Sequence, residues 1–188
     1  MVKVAVFVSG GGTNLQAILD AQNDVIRSAK VALVVSSSAD AYALERAKNH
    51  GVPGVVLRKE EDIQRTLEEY GIDLIVLAGY MRILSAEFTA RWDKRILNVH
   101  PSLIPSFCGK GMYGLHVHEA ALAYGVKVTG ATVHFVNEVP DGGEIIYQKA
   151  VDIQPDDTPE ILQRRVMEQA EWILLPRAIE KVAKEMLV

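Results

Sequence analysis

Residues 98–105 (NVHPSLIP) place an amide and an imidazole two positions apart at the end of an apolar run. In extended backbone alternate side chains point to the same side, so Asn98 and His100 would face one cleft. An amide can donate a hydrogen bond to a developing oxyanion, and an imidazole can donate, accept or carry charge near neutral pH. The segment therefore indicates chemistry, although two polar residues satisfied by local backbone at a strand end would give the same pattern.

Residues 9–14 (SGGGTN) form a second candidate site, because they follow an apolar run and precede residues at helical spacing. Backbone N–H groups at the start of a helix bind anions, and phosphate is the expected guest. The third glycine of a dinucleotide fingerprint is missing, and no Gly-Lys-Ser/Thr follows. This favours a monophosphate over NAD or ATP, with a tight turn that needs glycine for steric reasons as the alternative.

Two further segments have both a functional and a structural interpretation. Asp141 precedes two glycines, which is typical of a hairpin turn, but its carboxylate could also meet His100 and favour the protonated imidazole. Residues 81–84 (MRIL) follow a predicted strand. They could line the pocket of a flat aromatic ligand, or they could pack as an ordinary loop.

Four more titratable residues remain open at this stage. Glu171 is either a solvated helix residue or a carboxylate aimed at an ammonium or hydroxyl ligand. His134 alternates with apolar strand residues and is expected to be a hydrogen-bonded structural histidine. His116 and His118 lie two apart at a helix start, which places them on different faces, and no Cys or acidic partner stands at ligand spacing. We therefore expect no metal site.

The elements that must position these groups alternate between strand and helix up to residue 100. Strands are predicted at residues 4–8, 31–35, 54–57, 73–78 and 96–99, with helices between them. This rhythm predicts an α/β fold with an open, mostly parallel, doubly wound, Rossmann-like sheet. Ligands in such sheets bind beyond the carboxyl ends of the strands, which is where both candidate segments fall.

The pattern changes after residue 115. Alternating runs at residues 130–136 and 144–151 predict a C-terminal β-hairpin extension. A long C-terminal helix is predicted to begin at Thr158 and to run toward Met186, and Pro176 should kink or split it.

Length and composition limit the remaining possibilities. The 188 residues suit a single domain, and the net charge of −4 gives no electrostatic reason to expect nucleic acid. The single cysteine, Cys108, excludes an internal disulfide and favours a reducing compartment. The first apolar run is too short for a signal or a membrane span. We therefore expect a cytoplasmic protein without a membrane partner.

Five segments together resemble one family. Residues 9–16, 77–84, 98–105, 130–136 and 141–143 are similar, in this order, to the motifs of the phosphoribosylglycinamide formyltransferases. Members of that family move a formyl group from 10-formyltetrahydrofolate to glycinamide ribonucleotide in purine biosynthesis. The resemblance spans nearly the whole chain, but the Asn-x-His-Pro-Ser core is shared across folate-dependent formyl transfer and hydrolysis.

The resemblance implies a role for each candidate segment. The catalytic groups would be Asn98, His100 and Asp141. The ribonucleotide phosphate would bind to Gly11, Gly12, Thr13 and Asn14, with Glu171 contacting the rest of the ribonucleotide. The folate would bind to Met81, Arg82, Ile83, Leu84 and Val136. Residues 1–97 would then form a mononucleotide-binding half and residues 98–188 a catalytic and folate-binding half of one domain.

The implied chemistry is direct formyl transfer through a tetrahedral oxyanion, stabilised by Asn98 and protonated His100. Asp141 would keep His100 charged and help to relay a proton through water. The cosubstrate is 10-formyltetrahydrofolate and no metal is implied. The expected partners are the two small-molecule substrates only, and the chain is expected to be a monomer or homodimer.

Two segments depart from the family pattern. Residues 58–72 are shorter than usual, so Arg58 or Lys59 would have to supply any folate-tail contact made there. Residues 106–114 are longer than in some relatives, and their glycines suggest a mobile flap from which Lys110 could meet a phosphate or glutamate tail.

Three rival functions remain. A methionyl-tRNA formyltransferase should carry a further C-terminal domain and a basic surface for tRNA. A formyltetrahydrofolate hydrolase usually has an extra N-terminal domain. A non-catalytic nucleotide-binding module would need residues 9–14, the glycine segment, but neither Asn98 nor His100.

Overall fold

A seven-stranded sheet forms the centre of the molecule, and the computed structural model describes all 188 residues. The spatial order of the strands is β3-β2-β1-β4-β5-β6-β7. Strands β1 to β5 are parallel to one another, whereas β6 is antiparallel to both β5 and β7. The predicted mostly parallel sheet with a hairpin extension is confirmed. The strands are β1 Val2–Val8, β2 Ala29–Ser36, β3 Gly54–Val56, β4 Leu74–Leu77, β5 Ile96–His100, β6 Val128–Phe135 and β7 Ile145–Asp152.

Seven α-helices and one π-helical segment accompany the sheet. Two of them begin at capping side chains, because Ser85 and Thr158 each accept a hydrogen bond from the backbone N–H three residues later. None of these helices is long and apolar enough to cross a membrane. The helices are α1 Thr13–Asp20, α2 Ala43–Asn49, α3 Glu60–Tyr70, α4 Ala86–Arg91, α5 Leu115–Tyr124, α6 Pro159–Val166 and α7 Trp172–Met186, with the π-helical segment at Met167–Glu171.

Side chains of one strand supply both halves of the core. Val4 and Val6 belong to the larger apolar cluster, to which α1 and α7 also contribute. Phe7, on the opposite face of β1, belongs to a smaller cluster with residues of α3 and α4. Because helices cover both faces of the sheet, its central strands read as unbroken apolar runs rather than as alternating ones.

The C-terminal helix breaks at a different place from the one predicted. The interruption is the π-helical segment Met167–Glu171, and Pro176 lies inside α7. Since an α-helical N–H bonds the carbonyl four residues earlier, Pro176 withdraws a donor only from Trp172, the first residue of α7. Of the two predicted effects of Pro176, a split in the helix was therefore wrong.

From β1 the chain adds β2 and β3 on one side of the sheet and then adds β4 on the other side of β1, so the strand order reverses at β1. The carboxyl ends of β1, β4 and β5 therefore open at one edge of the sheet, where α/β folds bind their ligands. Residues 9–14 follow β1, residues 78–84 follow β4, and Asn98 and His100 end β5. The topology brings all three candidate segments to the same edge.

Candidate active site

A cleft of about 460 Å³ lies at this edge of the sheet. Its walls come from the glycine segment, the ends of β4 and β5, residues 112–114, α5 and the π-helical segment. A smaller pocket of about 150 Å³ lies beside it. Tyr80, Asn98 and Asp141 line both, so these side chains stand at the junction of the two cavities.

The end of β5 is paired with β6, which determines the surroundings of Asn98. Its register partner is His134, and Asn98 Nδ2 lies 3.2 Å from His134 Nε2. His134 Nδ1 lies 2.8 Å from the carbonyl oxygen of Phe135 and must donate to it. Nε2 is then the acceptor for Asn98, and burial lowers the pKa of His134, which keeps the ring neutral. As expected, His134 is hydrogen-bonded, and it orients the Asn98 amide.

His100 is buried beside Asn98, and its two ring nitrogens have different partners. Nε2 donates to the carbonyl oxygen of Phe107 at 2.8 Å. Nδ1 lies 3.6 Å from Asp141 Oδ2. The ring nitrogen that is not bonded to the backbone carbonyl therefore faces a carboxylate.

Asp141 joins three parts of the site. The turn between β6 and β7 holds it at φ +55°, a left-handed conformation that Asp tolerates better than most residues. Besides facing His100, its carboxylate accepts a hydrogen bond from the Gly109 N–H at 2.9 Å and lies 3.8 Å from His134 Nε2. Both interpretations of Asp141 thus apply, since it is a turn residue and its carboxylate reaches His100.

The glycine segment leads directly into α1. Gly12 has φ +75°, and a Cβ at this position would lie 2.6 Å from the Ala43 side chain. The turn therefore requires glycine, as the structural interpretation holds, but Gly11, Gly12, Thr13 and Asn14 also line the cleft. The N–H groups of Gly11 and Gly12 have no acceptor within the protein, so they are available to an anion.

Glu171 ends the π-helical segment and is buried against the start of α1. Asn14 Nδ2 donates to Glu171 Oε2 at 2.9 Å. Burial raises the pKa of the Glu171 carboxyl to about 7 and outweighs that hydrogen bond. Asn14 Oδ1 has no partner although it is buried. Glu171 is therefore not a solvated helix residue, and with Asn14 it offers hydrogen bonds to a ligand in the cleft.

His118 lines the same cleft, and the sequence interpretation considered it only as a metal ligand. It is completely buried in α5, and neither ring nitrogen has a hydrogen-bond partner. Burial, helped by the nearby charge of His100, lowers the pKa of His118 to about 4. The signal for its burial was its spacing from Ala121, since residues three apart share one helix face. No group of three His, Cys, Asp or Glu residues in the structure could hold a metal ion.

The proposed folate residues divide between the two cavities. Arg82, Ile83, Leu84 and Val136 line the smaller pocket, whereas Met81 lines the larger cleft. The Met81 N–H donates to Ser9 Oγ at 2.9 Å, which ties this loop to the glycine segment. Ile83 is 87% exposed, so this wall of the smaller pocket is open to solvent.

The two departures from the family pattern lie at the margins of the site. Arg58 Nε donates to the carbonyl oxygen of Ser37, and neither Arg58 nor Lys59 lines either cavity. In residues 106–114, Met112, Tyr113 and Gly114 line the cleft but Lys110 does not.

The chain is similar to known formyl transferases. A family model described as "Formyl transferase" matches residues 2–179. The phosphoribosylglycinamide formyltransferase of Haemophilus influenzae is 44% identical, and the match covers 96% of this chain and 86% of that protein. A trifunctional purine biosynthetic protein of Gallus gallus is 45% identical over 97% of this chain, which spans only 18% of that longer protein.

A solved structure agrees with the sequence comparison. The glycinamide ribonucleotide transformylase 1 of Symbiobacterium toebii superposes with a TM-score of 0.90 at 42% identity and covers 98% of this chain and 89% of its own. The chain therefore belongs to the formyl transferase family, in the branch formed by the phosphoribosylglycinamide formyltransferases.

Proposed function

We propose that this chain transfers the formyl group of 10-formyltetrahydrofolate to the amine of glycinamide ribonucleotide. The observation that carries the proposal is the position of Asn98, His100 and Asp141. Asn98 and Asp141 line both cavities, and His100 lies in the larger cleft with one nitrogen toward Asp141. A reaction that joins two substrates requires its catalytic groups at such a junction.

The larger cleft suits the ribonucleotide. Its phosphate would bind at residues 11–14, where the N–H groups of Gly11 and Gly12 and the start of α1 are available. Glu171 and Asn14 would then contact the sugar, because a carboxyl group and an unpartnered amide oxygen accept hydrogen bonds from hydroxyls.

The smaller pocket suits the folate. Leu84 and Val136 give it an apolar wall for a flat ring, and Arg82 brings a cation to its edge. With the pterin there and the phosphate at the glycine segment, the formyl group and the amine would meet beside Asn98. The Asn98 side chain is half-buried, with His134 behind it.

The transfer forms a bond between the amine nitrogen and the formyl carbon, and it breaks the bond from that carbon to the folate nitrogen. Asn98 donates one amide proton to His134, so its second can stabilise the tetrahedral oxyanion. Protonated His100, balanced by Asp141, adds positive charge beside it. The attacking amine loses a proton and the leaving nitrogen gains one, with Asp141 and a water as the relay.

The proposal extends to the cosubstrate, the division of the chain into two halves, its partners, its location and its oligomeric state. The cosubstrate of the proposed reaction is 10-formyltetrahydrofolate, and because side chains supply the donors for the oxyanion, the proposed step uses no metal. Residues 1–97 would bind the mononucleotide, and residues 98–188 would supply catalysis and folate binding. The net charge of −4 and the single cysteine support small-molecule partners and a cytoplasmic location. We propose a monomer or homodimer, which light scattering of the purified chain would distinguish.

The deciding experiment follows deformylated folate by absorbance, with and without glycinamide ribonucleotide. We expect turnover only when both substrates are present. Turnover without the ribonucleotide would indicate a hydrolase, and no turnover in either case would indicate a binding module. A suitable pair of variants is His100→Ala, expected to lose about 100- to 1,000-fold in turnover, and His116→Ala, expected to keep its activity because His116 is exposed and pairs with Glu119.

A further inference from the structure

Helix α2 binds the glycine segment through the carbonyl groups of two consecutive residues of that segment, Gly10 and Gly11. The Ala43 N–H donates to the carbonyl oxygen of Gly10 at 3.1 Å. Arg46 Nε, one turn further along α2, donates to the carbonyl oxygen of Gly11 at 2.8 Å. Both carbonyls therefore point toward α2 and away from the cleft.

The planar trans peptide also fixes the directions of the N–H groups that follow these carbonyls. In a trans peptide the carbonyl of one residue and the N–H of the next point in opposite directions. With the carbonyls of Gly10 and Gly11 directed at α2, the N–H groups of Gly11 and Gly12 must point away from it, toward the cleft. Successive N–H groups aimed at one point form an anion-binding nest.

Arg46 also brings a positive charge to the back of this nest. The residues that line the cleft include no Lys and no Arg. Arg46 makes no salt bridge with a carboxylate; its other contacts are Gln16 Oε1 at 3.0 Å and the Tyr42 ring at 5.0 Å. Its charge therefore stays uncompensated directly behind the Gly11–Gly12 peptide.

We propose that Arg46 is a positioning residue for the substrate phosphate: it turns the Gly12 N–H into the cleft and supplies the positive charge behind the glycine segment. The inference rests on the proposed function, because it takes the phosphate of the ribonucleotide as the ligand. Arg46 acts through the Gly11–Gly12 peptide and is not required to touch the phosphate itself.

The test measures binding without turnover, by calorimetric titration in the absence of folate. Wild type and Arg46→Met are titrated with glycinamide ribonucleotide and with glycinamide riboside, which lacks the phosphate. We expect Arg46→Met to bind the ribonucleotide about tenfold more weakly or worse, because the variant should lose the hydrogen bond from the Gly12 N–H to the phosphate. A hydrogen bond to a charged group contributes about that much affinity or more. Binding of the riboside should change less than about twofold. Arg65→Met, on exposed α3, is the matched control and should bind both ligands as wild type does.

The outcomes separate this inference from the proposed function. Equal losses for both ligands, or no loss for either, would overturn the role of Arg46. A wild type that binds the ribonucleotide in the expected way but does not transfer formyl would overturn the proposed function alone. If Arg46→Met fails to fold, as judged by its thermal unfolding, Arg46→Lys replaces it. That variant keeps the charge but loses the Nε donor, and its loss should again be confined to the ribonucleotide.

Discussion

The Glu171→Gln variant should change how the stability of this protein depends on pH. Burial raises the pKa of the Glu171 carboxyl from 4.5 to about 7. Between these values the native protein holds a proton that the unfolded chain has released. The free energy of unfolding contributed by this group therefore falls as pH rises, by about 3 kcal/mol over the whole window. Gln removes the titration and can still accept the hydrogen bond from Asn14.

His118 acts in the opposite direction over almost the same range. Burial lowers the pKa of its imidazole from 6.5 to about 4, so between these values the unfolded chain holds the proton that the native protein lacks. Its contribution to the free energy of unfolding therefore rises with pH, and His134, whose pKa is also lowered, adds to the rise. In the wild type the fall from Glu171 and the rise from the histidines partly cancel.

Urea unfolding of wild type and Glu171→Gln near pH 5 and near pH 8 isolates the carboxyl group, because the histidine contributions are common to both. We expect the variant to gain about 2.5 kcal/mol relative to wild type between the two pH values, because part of the titration lies below pH 5. Glu180→Gln is the control. The N–H groups of Arg27 and Ser28 lower the pKa of Glu180 to about 2, so it is ionised at both pH values. A difference between wild type and Glu171→Gln that does not change with pH would refute this account of Glu171.

Three further predictions concern the catalytic groups and the glycine segment. Asn98→Ala and His100→Ala should each lower kcat by about 100- to 1,000-fold with KM nearly unchanged, and near-wild-type kcat in steady-state assays would contradict their roles. Asp141→Asn should also lower kcat, because a neutral amide cannot balance a protonated His100 3.6 Å away; an unchanged kcat would exclude that pairing from catalysis. Gly12→Ala should destabilise the fold by about 1 to 3 kcal/mol in urea unfolding, since φ is +75° and the new Cβ would lie 2.6 Å from Ala43. Wild-type stability of this last variant would show that the turn can relax.

The sheet was predictable because local and long-range preferences agree along the first hundred residues. Each buried parallel strand needs a short apolar run, and each helix between strands needs an apolar stripe and a stop signal. Helix α3, Glu60–Tyr70, lies between the third and fourth predicted strands, as expected. Strand ends were less predictable, since β2 begins at Ala29, two residues before its apolar run. Backbone pairing, not side-chain type, decides such ends.

The π-helical segment could not be predicted from the same signals. Apolar spacing in residues 159–186 fits one amphipathic helix, and a single wider turn changes that spacing too little to see. The only visible irregularity was Pro176, which the structure accommodates inside α7. Yet this wider turn ends at Glu171, the carboxyl group that packs against α1. The candidate site residue Glu171 was thus named from the resemblance, while the backbone that directs it came only from the structure.

The surroundings of Asn98 depend on a pairing that no local pattern specifies. Asn98 and His134 are 36 residues apart and meet because β5 and β6 pair antiparallel in a register that sets them opposite each other. A slip of one residue would bring Val133 or Phe135 opposite Asn98 and turn the His134 ring to the other face of the sheet. The amide would then lose the acceptor that orients it. The proposed stabilisation of an oxyanion by Asn98 therefore depends on the same register that buries Val133 in the core, and changes to the packing beneath β6 should lower turnover as well as stability.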